Sequence, residues 1–475
     1  MVFSSITFLF YFLPVFLALY YVAGRARNHV LLVFSLIFYA WGEPLNVVLL
    51  LFSIGFNYAT GLGLAKRPGR DRKAWLAAGI TVNLLMLGTF KYAAFLASSL
   101  NLLLEPLHVS LPVPGLELPI GISFFTFQAI SYLVDVYRKD VAPERNFVLL
   151  AVYISMFPHL VAGPIVRFKT IVQDLHQRQL SLSRFNLGTK YLVVGLAQKA
   201  LIANTLAATA DAVFALPTAQ LTTATAWLGV TTYTLQIYFD FAGYSNMAIG
   251  LALMIGIRFP QNFNYPYAAA SVTDFWRRWH MSLSQWFRDY LYVPLGGNRR
   301  SPARTYLNLA VVFLLVGLWH GASFTFVAWG AYHGSLLVIE RIGFSSLIGR
   351  SWAPIRHAYT LLAVMGGWVL FRSADFEQAS GYFLALSGFA RGDPLVTPVD
   401  QYLLNDTRLA LLVGIVASLP VIPWATARIA MPETRSLALS ALSRTGAVLA
   451  GAALLLLSTG MLASSAYNPF IYFRF

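Results

Sequence analysis

The sequence predicts an all-α, polytopic membrane protein, and three observations carry that reading. Of its 475 residues, 58% are hydrophobic and only 11% are charged, against about 25% charged in ordinary soluble domains. The apolar residues fall in long runs separated by short basic stretches. With 36 Phe, 24 Tyr and 11 Trp, the chain is also far from a disordered composition. One soluble core could not cover so much apolar surface. At ~20 apolar residues per crossing, the runs amount to roughly 11 crossings, within a single integral membrane domain over residues 1–475.

The run from Met1 to Ala23 has no basic residue before Arg25 and carries bulky Phe, Leu and Tyr throughout. A cleaved signal peptide would show a basic start and a small-residue cleavage site, so this run reads as a retained first span. Arg25 and Arg27 follow it and place the N-terminus outside. Two runs, 30–41 and 45–65, are split by Gly42-Glu43-Pro44. They bring Lys66, Arg67, Arg70, Arg72 and Lys73 back to the inner face with the right parity.

Further candidate spans lie at about 74–104, 119–137, 146–165, 187–212, 222–256, 305–340, 357–371, 407–424 and 444–464. The longest of these hold two helices or a broken one. The polar stretches are 66–73, 166–186, 257–304 and 372–406. In the last, Gly392-Asp393-Pro394 marks a turn, and the segment from Phe376 to Phe383 reads as an amphipathic surface helix.

Lys and Arg total 34 against 19 Asp and Glu, a net charge of +15. In a soluble protein that excess would suggest nucleic acid, but no nucleic-acid motif accompanies it. Here the basic residues read as anchors of inner loops. The absence of cysteine excludes disulfides, Cys-based metal sites, a Cys nucleophile and S-palmitoylation.

Ionisable side chains are costly inside a membrane, so each calls for a partner or a function. Asp135, His159, Asp240, His320 and His333 lie in or beside apolar runs. No charged residue lies between Ala310 and Trp319, immediately before His320, and Gly317 and Gly321 flank it at close-packing spacing. A buried, neutral imidazole is suited to act as a general base. His333 falls on a different helix face, and no close His/carboxylate spacing appears, so no metal site is expected.

A second cluster runs from Asp274 to Arg300. Trp279, Leu283, Trp286 and Tyr290 recur at helical spacing, with Arg277, Ser284 and Arg288 on another face. Asp274 can pair with Arg278. The segment reads either as a helix lying in the membrane interface or as the wall of a polar cavity into which His280 faces. Gly296-Gly297-Asn298-Arg299-Arg300 could hold an anionic group or simply form a turn and an inner anchor.

Four stretches together resemble the membrane-bound O-acyltransferase superfamily, and most closely its bacterial alginate O-acetyltransferase branch. They are Phe157 to Ile165, Tyr238 to Gly250, Phe275 to Arg300, and Gly317-Leu318-Trp319-His320-Gly321 continuing to Gly334. The opening Met-Val-Phe-Ser-Ser and the closing Phe-Ile-Tyr-Phe are similar as well. The resemblance implies a ring of tilted, broken helices around a thin centre, where funnels from both faces meet. It implies that the catalytic histidine of the Trp-His-Gly motif is His320 and that the supporting histidine of Arg-Trp-His is His280. Asn246 stands where the family often has Asp, which removes one carboxylate.

The function this resemblance implies is a multi-pass O-acetyltransferase of the bacterial inner membrane, its N-terminus periplasmic. It would carry acetyl from a cytoplasmic donor, acetyl-CoA, to the outer face for an exopolysaccharide such as alginate, aided by a periplasmic SGNH-type partner. His320 would be the base. His280, backbone N–H groups near Gly321 or Asn246 could orient groups or stabilise the oxyanion. Asn246, Asp240, Arg277, Arg288, Arg299 and Arg300 are the candidate substrate- or donor-binding residues. Peptidoglycan or cellulose O-acetylation and D-alanylation of teichoic acid remain open. So does a transporter of an acyl donor or glycan, with the histidines in a proton path.

Overall fold

The computed structural model describes residues 1–421, 437–464 and 467–471. Among these the chain is helical, without strands. A first group of helices comprises α1 (Leu13–Val22), α2 (Arg27–Gly42), α3 (Val47–Lys66), α4 (Gly69–Leu104), α5 (Ile122–Arg138), α6 (Phe147–Ser155), α7 (Phe157–Leu160) and α8 (Phe168–His176). The middle holds α9 (Leu182–Ala197), α10 (Asn204–Phe214), α11 (Thr223–Met254), α12 (Val272–Arg278) and α13 (Met281–Phe287). Then come α14 (Pro302–His320), α15 (Phe324–Ile339), α16 (Ser345–Gly349), α17 (Ala353–Arg372), α18 (Phe376–Leu386), α19 (Asn405–Ser418) and α20 (Leu437–Ser464).

Among the described residues, five helical stretches are long and apolar enough to cross a membrane: Val47–Lys66, Gly69–Leu107, Leu182–Phe214, Pro302–His320 and Thr445–Ser464. The long run at 222–256, expected to hold two helices or a broken one, is the single helix α11, and the remaining apolar runs are shorter or interrupted. The run at 146–165 breaks at Met156, whose ψ of 116° ends α6. The run at 305–340 breaks after His320 into α14 and α15. Such breaks are tolerated at membrane depth where protein, not lipid, surrounds the free backbone groups. The expected surface helix at 376–383 is α18, and the end of the 407–424 run lies outside the described residues.

The central element is α11. Nearly every side chain from Gly229 to Leu251 is buried, because α9, α10, α17, α18, α19 and α7 all pack on it. The α9–α11 crossing is close because glycines face glycines. A Cβ on Gly188 would come within 2.6 Å of the Gly250 carbonyl, and one on Gly243 within 2.7 Å of the Gly195 carbonyl. Small residues give membrane helices this approach.

One face of the molecule gathers the basic loops. Arg72, at the start of α4, donates to the Val136 carbonyl at the end of α5 (2.9 Å). Arg138 donates to the Asp289 carbonyl (3.0 Å), and Arg167 pairs with the Asp289 carboxylate (2.6 Å). Arg178 donates to Asn28, beside Arg27 (2.7 Å). The opposite face brings the two sequence extremes together. Asn468 donates to the Ser4 carbonyl (2.8 Å), and the Tyr244 ring of α11 packs between Phe3 (4.6 Å) and Phe470 (4.8 Å).

Candidate active site

His320 is the last residue of α14. Gly321 turns extended (φ −163°, ψ 149°), and α15 restarts behind Ser323, whose side chain accepts from the Phe326 N–H. A side chain on Gly317 would collide with the Phe326 carbonyl, and one on Gly321 with the Phe326 ring. The pair of glycines therefore lets the break fold back tightly, which the sequence spacing anticipated. The His320 ring is buried among Trp319 (4.9 Å between ring centres), Trp329 (5.1 Å) and Phe371 (5.2 Å).

The break leaves carbonyls of the last turn without helical partners. Two adjacent side chains of α4 supply donors. Tyr92 donates to the Leu318 carbonyl (2.8 Å) and Lys91 to the Trp319 carbonyl. Sequence reasoning passed over Lys91; its signal was a single lysine inside the apolar run 74–104.

His280 lies between α12 and α13 in the left-handed region (φ 41°, ψ 54°), with Trp279 extended (φ −96°, ψ 130°). The aromatic stripe read at helical spacing is thus not one helix, and Trp279 and Trp286 are buried rather than set at an interface. The turn directs the fully buried His280 inward, where its Nδ1–H donates to Asn262 Oδ1 (3.1 Å). Asn262 also accepts from Ser282 Oγ (2.8 Å) and donates to Ser245 Oγ (3.0 Å). Ser282 in turn accepts from the Ile165 N–H (2.9 Å). One buried asparagine so joins three of the sequence motifs. It had no signal of its own, because Asn in a polar loop is ordinary.

Two cavities lie on either side of the aromatic shell of His320, without reaching the imidazole itself. The first, of about 510 Å³, is lined by Arg277, Arg288, Ser284 and Arg341 and by apolar walls including Trp276, Phe313 and Val316. It lies on the face of the basic loops. Glu340 fixes its rim by accepting from the N–H groups of Val272 (2.7 Å) and Thr273 (2.9 Å) at the start of α12. Trp276 leads inward to Trp329 (5.7 Å), which touches His320. The second, of about 480 Å³, is lined by Asp211, Gln236, Ser323, Phe326, Phe371, Arg372 and the segment 469–471. Phe371 belongs to its wall and to the shell of His320.

The site thus holds a buried histidine closing a broken helix, a second buried histidine on a left-handed turn, and two cavities separated from the first histidine by aromatic rings. The family model described as MBOAT, membrane-bound O-acyltransferase family, matches residues 121–363, which contain both histidines. The chain belongs to this family. The membrane-bound O-acyltransferase is 43% identical to a probable alginate O-acetylase AlgI of Pseudomonas putida, over the whole of both chains. It is 44% identical to that of Azotobacter vinelandii, over 87% of this chain and 83% of the relative. A peptidoglycan O-acetyltransferase of Helicobacter pylori is 34% identical over 80% of this chain and 78% of the relative. The chain is therefore an enzyme of acyl transfer and a multi-pass membrane protein, and the transporter reading falls away.

The remaining sequence candidates of this O-acyltransferase separate in space. Arg277, Ser284 and Arg288 line one cavity although they lie on different elements rather than on one helix face, and Asp274 pairs with Arg278 (3.0 Å). Arg299 and Arg300 are exposed beyond the Gly296–Gly297 turn and do not line that cavity, where Arg341 stands instead. Asn246 donates to Gln198 (2.8 Å) and Asp240 pairs with Lys199 (2.6 Å) while accepting from the Ile471 N–H (2.8 Å). Both tie α11 to its neighbours; the helix turns them away from His280, and Ser245 meets Asn262 instead.

Of the other ionisable residues of the apolar runs, His159 and Asp135 have polar partners, whereas His333 is packed among aromatic rings. His159 donates to the Tyr153 carbonyl (2.8 Å), and Asp135 accepts from Tyr290 (2.9 Å) and Lys169 (3.2 Å). His333 is separated from His320 by Trp329 (5.1 Å from each). Among the described residues no group of three His, Asp or Glu side chains could hold a metal ion.

Proposed function

We propose that this O-acyltransferase carries acetyl from acetyl-CoA on the cytoplasmic face of the bacterial inner membrane to an exopolysaccharide such as alginate, with His320 as the base. The single observation that supports this reading is that His320 lies between two cavities, one ending on Trp276, whose neighbour Trp329 packs on the imidazole, and the other walled by Phe371, which also packs on it; Arg277, Arg288 and Arg341 line the first. By the positive-inside rule the basic face is cytoplasmic and the N-terminus periplasmic. Guanidinium groups there suit the phosphates of CoA, and the apolar walls suit its thioester arm. The second cavity receives the acceptor, or the periplasmic SGNH-type partner that hands the acetyl on.

In the transfer the acceptor hydroxyl oxygen attacks the thioester carbonyl carbon while His320 takes the hydroxyl proton. The C–S bond then breaks and the proton passes to the departing thiolate. His280, held by Asn262, orients the reacting groups. Alginate is favoured as the polymer because relatives named alginate O-acetylases match nearly the whole chain, whereas a teichoic acid D-alanyltransferase of Streptococcus thermophilus matches 46% of it. The test is His320→Ala restored to the host from which the gene has been deleted. Ester-linked acetate on the surface polymer should stay at the level of the deletion, and acetate restored to the wild-type level removes His320 from the mechanism. Analysis of the polymer that loses acetate names the acceptor.

A further inference from the structure

We infer that Lys91 is a positioning residue for the acyl transfer, its ammonium holding the peptide that carries His320. The inference rests on the reading of His320 as base. Lys91 lies in α4, a long apolar helix, and is buried. None of the ion pairs among the described residues includes it. Its Nζ donates to the Trp319 carbonyl and lies 3.5 Å from Ser123 Oγ. It is also 5.7 Å from the centre of the Trp319 ring, against which both His280 and His320 pack.

The chemistry asks for more than a cap. The C-terminal carbonyls of a helix carry partial negative charge, which a cation satisfies better than a neutral donor. Yet the adjacent Leu318 carbonyl is satisfied by the neutral Tyr92 hydroxyl, so a neutral group could have served at Trp319 as well. A cation inside an apolar helix is costly. Its placement on the peptide bond between Trp319 and His320 couples that cost to the geometry of the imidazole, which must hold while charge develops on the reacting groups.

The test restores Lys91→Met, Lys91→Gln and Lys91→Arg, beside His320→Ala, to the deletion host. Ester-linked acetate on surface polymers, membrane abundance and melting temperature in detergent are measured. Methionine keeps the length without the charge, and glutamine keeps a neutral donor. The expected order of acetylation is wild type, then Arg, then Gln and Met, with Met at least about tenfold down. Abundance and melting temperature of the Met variant should equal or exceed those of the wild type. Gln or Met within twofold of wild type while His320→Ala is inactive overturns the role of Lys91 and leaves His320 standing. Loss of folded protein in both Met and Gln variants overturns it in favour of a role in folding. An active His320→Ala overturns the underlying reading and this inference with it.

Discussion

His280 and His320 pack on the same indole, that of Trp319, at ring-centre distances of 6.2 and 4.9 Å. Each reaches it from a broken helix, one through a left-handed turn and the other from a helix end. Their relative placement therefore depends on what holds those two breaks.

Asn262 fixes the His280 ring by accepting its Nδ1–H. Asn262→Leu should keep the fold and lower acyl transfer about 10- to 100-fold, since a small misplacement of an orienting group can cost that much. Asn262→Asp, which keeps the acceptor, should lose less. Initial rates of labelled acetyl transfer from purified protein, compared at equal folded fraction, give the ranking.

Gly317 sits where α14 and α15 touch backbone to backbone. Gly317→Val should lower stability by about 1–3 kcal/mol through overpacking and displace His320. A lowered melting temperature in detergent and a matching loss of activity are the expected results. Gly451, with nothing near its missing side chain, is the control: Gly451→Val should leave both unchanged.

Arg277 and Arg288 line the cavity proposed to receive the donor. Arg277→Ala with Arg288→Ala should raise the KM for acetyl-CoA about tenfold and leave kcat within about twofold, because charges on an exposed rim act on capture more than on chemistry. Added salt should weaken the wild-type KM and flatten the difference between the two proteins.

Asp289 lies on the basic face outside the spans. Burial alone would raise its carboxyl, but hydrogen bonds from Arg288 (2.7 Å) and Arg167 (2.6 Å) hold it below the ordinary carboxylate range. A carboxyl whose pKa is depressed by folding stabilises the protein above its unfolded value of about 4. That contribution disappears as pH falls from there through the folded value. Asp289→Asn should therefore melt below wild type at pH 6–7, and the gap should close as pH drops below about 4. Melting curves across that range check the sign.

Much of the fold was legible in the sequence because hydrophobic run length reports directly on the bilayer. The α18 surface helix and the break behind His320 were both readable from local spacing. Two readings failed for one reason. The Trp279–Tyr290 stripe has helical spacing, yet the backbone turns left-handed at His280, and no local propensity demands that of a histidine. Asn246 and Asp240 sit in a strong motif, yet they face Gln198 and Lys199. Helix rotation is set by which neighbour packs closest, here the glycine crossing of α9 on α11.

By itself the sequence determined the solvent, the helical class, the basic face and the histidine at the end of an apolar helix, since each is written in composition or in spacing along one segment. Only the tertiary structure decided which polar groups gather at the site. Asn262 reaches His280, and Lys91 the carbonyl of Trp319, from segments far apart in the chain. They meet because buried donors and acceptors must find partners across helices when neither lipid nor water supplies them.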